Sequence, residues 1–138
     1  MKAWNALIAA LIVTGCASEQ TLNSDTLVSR GGVALDAAQL RGLIVGAEID
    51  GPTGLSNYGD VSVDESVGAD GSLHGMASDS QGAISYSGKW SIDDSGRYCF
   101  ERQFPRATSK GCEQWFKVGS DYFAASGKLA YRRKVARK

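Results

Sequence analysis

Apolar and polar residues alternate most regularly in one stretch near the middle of the chain, which predicts the central strand of the fold. Ile84, Tyr86, Gly88, Trp90 and Ile92 occupy every second position, and polar residues fill the positions between them. A period of two places the two sets on opposite faces of a β-strand. We therefore expect Ile84, Tyr86, Trp90 and Ile92 to be core residues. Trp90 takes the central place, because the missing side chain of Gly88 leaves room for a large ring or a bend.

A turn and a second aromatic strand follow, so the pattern predicts a β-hairpin. The turn is the segment 93–96, whose last residue, Gly96, is free to take a positive φ. The second strand covers 97–104 and contains Cys99 among aromatic and charged residues.

The rest of the chain after residue 47 has the turn spacing of an antiparallel meander. Further strands are predicted over residues 58–66, 72–77, 112–118, 122–126 and 129–132. The segments 50–54, 69–71 and 78–82 are predicted turns, and 105–111 is a predicted polar, basic loop. The fold class is therefore mainly β, an antiparallel meander that forms a small lipocalin-like or half-open barrel.

One short N-terminal helix is predicted over residues 36–45. Asp36 fits the N-cap, Gln39 completes a capping box, and Gly46 favours the end of the helix. Its apolar stripe consists of Leu40, Leu43 and Ile44. A helix this short is marginal alone, so we expect the stripe to pack on the sheet.

The first residues have the features of an export signal. Lys2 precedes the mostly apolar run 3–13, which is shorter than the roughly 20 residues that a membrane-spanning helix needs. The run ends in Val13-Thr14-Gly15-Cys16, which resembles the bacterial lipoprotein box. That resemblance implies cleavage before Cys16 and a lipid on Cys16; an ordinary signal with an incidental cysteine is the alternative.

The same resemblance implies where the protein is anchored. Ala17, and not Asp, follows Cys16. In Gram-negative lipoproteins this implies attachment to the outer membrane on the periplasmic side. We accordingly expect a signal peptide over 1–15, a lipidated tether over 16–33, a β domain over 34–132 and a basic tail over 133–138.

A lipid on Cys16 leaves Cys99 and Cys112 as a pair in an oxidising compartment, where we expect a disulfide. The pattern of side chains conflicts with this pairing. Cys112 shares a face with Phe116 and Val118, whereas Cys99 shares its face with charged and polar residues. Either a bulge shifts one strand, or the bridge lies at the strand ends.

The formal net charge is zero, so the overall charge does not indicate nucleic acid as a partner. The charge is unevenly distributed, however, since residues 89–138 hold twelve basic and five acidic residues. The last part of the chain contains Arg132, Arg133, Lys134, Arg137 and Lys138. These residues either form a solvated tail or contact anionic lipid at the membrane.

The sequence offers little catalytic or metal-binding chemistry. His74 shares a face with Met76, but no haem motif accompanies them, and we predict no metal and no cofactor. Adjacent acids such as Asp64 and Glu65 point to opposite faces of a strand. No nucleophile elbow is present. An enzyme is therefore the least favoured of the three functions that we consider, after the two given below.

The order of features over residues 35–126 resembles a group of small exported β-proteins of proteobacteria. The shared pattern is a Leu-rich helix, Asp70-Gly71, Gly88-Lys89-Trp90 and two spaced cysteines. The resemblance implies a lipocalin-like or half-barrel fold without an established activity. We expect a non-catalytic binding or envelope-structural module, with a small apolar ligand or a protein partner. A weaker likeness to small periplasmic barrels implies the alternative, an inhibitor of a periplasmic or host protease or lysozyme.

Overall fold

The computed structural model describes residues 22–53 and 61–137, and most of these residues lie in strands. The strands are β1 (Val33–Ala34), β2 (Ala47–Thr53), β3 (Val61–Val67), β4 (Ser72–Asp79), β5 (Gly82–Ile92), β6 (Tyr98–Phe104), β7 (Ala107–Val118), β8 (Asp121–Ser126) and β9 (Leu129–Arg137). Two helices precede β2, α1 (Ser24–Ser29) and α2 (Ala37–Ile44).

The strands β2 to β9 form a closed antiparallel barrel. Each pairs with the next one along the chain, and β9 pairs back onto β2 with Val135 opposite Ile49. The strand β7 is long enough to pair with β6 through its first half and with β8 through its second half. The two-residue strand β1 adds to β7 beside Phe116 and Lys117. The prediction of a mainly β, lipocalin-like barrel is confirmed, and the barrel is closed.

Helix α2 covers one end of the barrel, as its apolar stripe predicts. Asp36 and Gln39 form the capping box, and Gly46 has a φ of 75° just beyond the helix. Leu40 and Ile44 are fully buried in the same core as the inner faces of the strands. We call this the closed end; the turns 68–71, 93–97 and 119–120 surround it.

The opposite end has no helix among the described residues. The turns 80–81, 105–106 and 127–128 lie there, and we call it the open end. The link from β2 to β3, residues 54–60, lies outside the described residues.

Helix α1 packs on the outside of the barrel. Leu27 is fully buried against Phe116, Ala125 and Ala130, whose side chains point away from the barrel interior. The expected tether over 16–33 is therefore wrong for residues 22–33, which are folded onto the barrel; residues 16–21 lie outside the described part. Neither described helix has the length and apolar character needed to cross a bilayer.

The largest differences from the predicted strand boundaries concern three strands. Strand β7 begins at Ala107 inside the predicted loop, and β2 continues through the predicted turn at 50–53. Strand β9 continues to Arg137, so the described part of the predicted basic tail is a strand paired with β2. In each case the pairing with a neighbouring strand outweighs a weak local preference.

Candidate functional site

A carboxylate lies in the middle of the barrel, held by three neighbouring side chains. Glu65 on β3 is 1% exposed. Its Oε2 accepts hydrogen bonds from the Tyr86 hydroxyl and from Arg102 Nε, each at 2.7 Å. Its Oε1 accepts from the Tyr98 hydroxyl at 2.5 Å and from Arg102 Nη2 at 3.3 Å. Both carboxylate oxygens are thus saturated by donors from β5 and β6.

These donors keep the buried carboxylate charged. Burial opposes the ionisation of Glu65, but the Arg102 guanidinium and the two hydroxyl groups outweigh it and hold the pKa of Glu65 below its usual range. Burial and the charge of Glu65 raise the pKa of the Tyr86 and Tyr98 hydroxyls. Burial disfavours the charged guanidinium too, but Glu65 outweighs it and raises the pKa of Arg102. Neither the carboxylate nor the phenols are suited to exchange a proton near neutral pH.

A second buried ion pair links β7 and β9. Arg133 Nη2 lies 3.0 Å from Glu113 Oε1, and both side chains are buried. Arg133 Nη1 also donates to the carbonyl oxygen of Pro52, at the point where β2 separates from β9. This pair ties three strands together and leaves its charges fully engaged.

The position of Glu65 and Arg102 in the alternating pattern of their strands indicates that both side chains point inward. Glu65 is in phase with Val61, Val63 and Val67, which are all buried. Arg102 is likewise in phase with the aromatic residues of β6. A charged residue that shares the alternation phase of apolar residues is expected to point into the barrel, where it needs a partner of opposite charge.

A glycine makes room for the cluster. A Cβ atom on Gly75, the cross-strand partner of Tyr86, would lie 2.4 Å from the Tyr86 hydroxyl oxygen. The phenol therefore needs a glycine at this position to reach Glu65.

The open end leads into a cavity of about 780 Å³. Its lining includes the charged residues Asp79, Arg106 and Lys110. Most of it is apolar, with contributions from Val61, Ala77, Ile84, Phe104, Pro105 and Ala107. Ala77 and Ile84 face each other across β4 and β5, and the next inward pair is Gly75 and Tyr86. The Phe104 and Tyr86 rings lie 4.9 Å apart. The Glu65 cluster therefore forms the layer beneath the cavity, whose volume is typical of a small-molecule pocket.

The four predicted core residues of β5 have different surroundings. Tyr86 and Trp90 are buried, and Ile92 is half-buried against the core. Trp90 lies under helix α2, where its Nε1 donates to the carbonyl oxygen of Gly68 at 2.7 Å. Ile84 differs from the prediction, because it is 45% exposed and lines the cavity instead of the core.

The disulfide between Cys99 and Cys112 is confirmed, and the two residues are direct partners on β6 and β7. The expected conflict of faces rested on the assumption that Phe116 points inward. Phe116 instead packs outside the barrel with Leu27. Both cysteines therefore point outward, and neither a bulge nor a position at the strand ends is needed.

The predicted anionic-contact residues do not form one basic surface. Arg133 is buried in the ion pair with Glu113, which contradicts its predicted contact with lipid. Arg132 pairs with Asp121 at 2.7 Å, and Arg137 donates to the carbonyl oxygen of Gly42. Lys134 is exposed on β9. Lys138, like the lipid-attachment residue Cys16, lies outside the described residues.

Among the described residues, Asp93, Cys99 and Cys112 bring three potential metal-ligand atoms together. The two sulfur atoms are joined in the disulfide, so neither is a thiolate that could bind a metal. His74 and Met76 are both exposed on the outer face of β4. Among the described residues, the cavity at the open end is therefore the best candidate for a functional site.

Comparisons with known proteins found no family model that matches the chain, no similar curated protein and no similar solved structure.

Proposed function

We propose that this chain is a non-catalytic lipoprotein of the outer membrane, facing the periplasm, whose barrel binds one small apolar molecule at the open end. The cavity of about 780 Å³ carries this proposal, because its lining is mostly apolar and the buried charges of the Glu65 cluster beneath it are already paired. A site with that composition gains affinity from apolar burial. The lipobox-like Val13-Thr14-Gly15-Cys16 supports the membrane anchor.

Binding of an apolar fluorescent probe, N-phenyl-1-naphthylamine, tests the cavity. Ile84→Arg places a charge on the wall and is expected to weaken probe binding at least tenfold, because the guanidinium must be desolvated when the probe enters. Met76→Arg is the matched control: Met76 is also 45% exposed, but it lies on the outer face of the adjacent strand. Equal probe affinity in the two variants would refute a binding site at the open end.

Two further measurements test the remaining parts of the proposal. Mass spectrometry of the mature protein is expected to find an acylated N-terminal Cys16, and a mature chain that begins at any other residue contradicts the anchor. Assays against lysozyme and a panel of proteases are expected to show no inhibition. Nanomolar inhibition would replace the binding function by that of a hydrolase inhibitor.

A further inference from the structure

The turns at the two ends of the barrel differ in charge. Counted with one flanking strand residue on each side, the closed-end turns contain four acidic residues and one basic residue. They are Asp70, Asp93, Asp94 and Asp121, with Arg97. The open-end turns among the described residues, counted in the same way, contain Asp79 as the one acid and the bases Arg106 and Lys128. The charge distribution therefore favours an approach of the open end to an anionic surface.

The open end also exposes apolar side chains. Ile84 is 45% exposed at the mouth of the cavity near the turn between β4 and β5, and Leu129 is 38% exposed after the turn between β8 and β9. Lys128 is adjacent to Leu129, and Arg106 lies at the turn between β6 and β7. Apolar side chains next to basic ones are typical of surfaces that rest in the headgroup region of a membrane.

The N-terminal chain enters the fold beside this end. The carbonyl oxygen of Leu22 accepts a hydrogen bond of 2.8 Å from the Ala130 amide, next to the turn between β8 and β9. Cys16 precedes Leu22 by six residues. Six residues span at most about 20 Å when fully extended, so a lipid on Cys16 keeps Leu22 within about that distance of the bilayer.

We propose that the open end docks on the anionic surface of the membrane that anchors the protein. This inference rests on the proposed acylation of Cys16, which supplies proximity, while the charge and the apolar side chains of the open end determine the orientation. Each basic residue near such a surface strengthens its binding by about fivefold. In this orientation the cavity faces the lipid, and an apolar molecule passes between bilayer and barrel without crossing bulk water.

Fluorescent labels on two matched serines measure the orientation. Ser80 lies in an open-end turn and Ser95 in a closed-end turn, and both are exposed. The acylated full-length mature protein, carrying bimane on either Ser80→Cys or Ser95→Cys, is reconstituted into phosphatidylethanolamine vesicles with phosphatidylglycerol and a headgroup nitroxide quencher. We expect at least threefold stronger quenching of the label at position 80. Equal quenching, or stronger quenching at position 95, overturns the proposal.

Charge reversal tests the cause of the orientation. The double variant R106E/K128E is expected to abolish the difference in quenching between the two labels. K89E is the control for position, since it reverses the charge of one exposed residue of β5 away from the open end. If R106E/K128E keeps the difference, or if K89E abolishes it, the electrostatic docking is refuted.

The two proposals fail in distinguishable ways. The mass of the mature N-terminus tests the anchor, and naphthylamine binding tests the cavity, while neither measures orientation. If Cys16 proves not to be acylated, the secreted chain is mixed with the same vesicles. Docking still predicts stronger quenching at position 80. If neither label is quenched, docking is refuted, and the open end would instead bind a partner other than the membrane.

Discussion

Glu65 combines near-complete burial with a full negative charge, so its stability depends on its donors. The Tyr86, Tyr98 and Arg102 side chains supply four hydrogen bonds to the two carboxylate oxygens. Removal of the Glu65 carboxylate leaves the Arg102 guanidinium buried without this counter-charge. In buried ion pairs this costs far more than the net contribution of the intact pair.

We expect Glu65→Gln to lower the free energy of unfolding by about 3–5 kcal/mol, measured by urea denaturation. The amide removes the negative charge, and its NH2 group faces side chains that are themselves donors. Glu101→Gln is the control, because it breaks an exposed ion pair with Lys110 on the outer face. It is expected to change the urea midpoint little. Equal midpoints for the two variants would show that the buried cluster is not what stabilises the barrel.

The lowered pKa of Glu65 predicts how stability depends on pH. Below the ordinary Glu pKa of 4.5, the unfolded chain binds a proton at this residue while the native barrel still excludes it. The stabilisation is therefore complete above about pH 4.5 and is lost as the pH falls toward the native pKa. Urea titrations from pH 7 to pH 3 should show a steeper acid loss in wild type than in Glu65→Gln. Parallel curves would contradict the assignment.

At the scale of elements, α2 closes one end of the barrel with two fully buried side chains, Leu40 and Ile44. The Arg41 guanidinium lies 5.2 Å from the centre of the Trp90 ring, which adds a contact from the outer side of the helix. The residue between Arg41 and Leu43 is Gly42, which lowers the intrinsic stability of a helix that is already short.

Two substitutions in α2 are expected to act in opposite directions. Leu40→Ala should cost about 2–5 kcal/mol, because it leaves a cavity between the helix and the barrel. Gly42→Ala should gain up to about 1 kcal/mol, since no atom lies within 4 Å of the added Cβ. Thermal denaturation followed by circular dichroism measures both. A Leu40→Ala protein that melts like wild type would mean that the helix does not seal the barrel.

The elements that the sequence predicted well are those whose own pattern is strong. The helix at 36–45 has a cap, a stripe and a glycine stop, and β5 alternates without interruption. By contrast, β7 begins with small and polar residues because its partner strand fills the space. A Cβ on Gly111 would lie 3.0 Å from the Phe100 ring, so an inward-facing position of β7 must remain small. Such a strand cannot be recognised without its neighbour.

The cavity and the buried ion pair between Glu113 and Arg133 could not be predicted from the sequence, for a related reason. Which face of β7 points inward depends on α1, whose Leu27 covers Phe116 from outside. Residues 16–33 were expected to be a tether, so this outer cover was missed. Cys112 was consequently assigned to the wrong face, and Glu113 was assigned to none. Only long-range pairing determines these faces.

At the scale of the whole molecule, the disulfide reinforces a barrel that the strand pairing already closes. Cys99 and Cys112 are 13 residues apart, and a loop of this size contributes about 3 kcal/mol on the chain-entropy estimate. A domain of this size has about 5–15 kcal/mol in total. The reduced protein is therefore expected to remain folded, with the free energy of unfolding lowered by about 3 kcal/mol.

Urea denaturation with and without a reductant measures this difference. The double variant C99A/C112A is the control, because it should match the reduced wild type and be insensitive to reductant. Loss of the β-sheet circular dichroism signal on reduction alone would show that the pairing of β6 and β7 depends on the covalent link.

The closure of the cavity from below has a kinetic consequence for any molecule that enters the barrel. With the Glu65 cluster directly beneath the cavity, and Leu40 and Ile44 buried at the closed end, the cavity of the described structure has one entrance, which is also its exit. A second molecule cannot enter from the other side and displace the bound one. Exchange would follow the departure of the first molecule, and its rate would become independent of the concentration of the competitor.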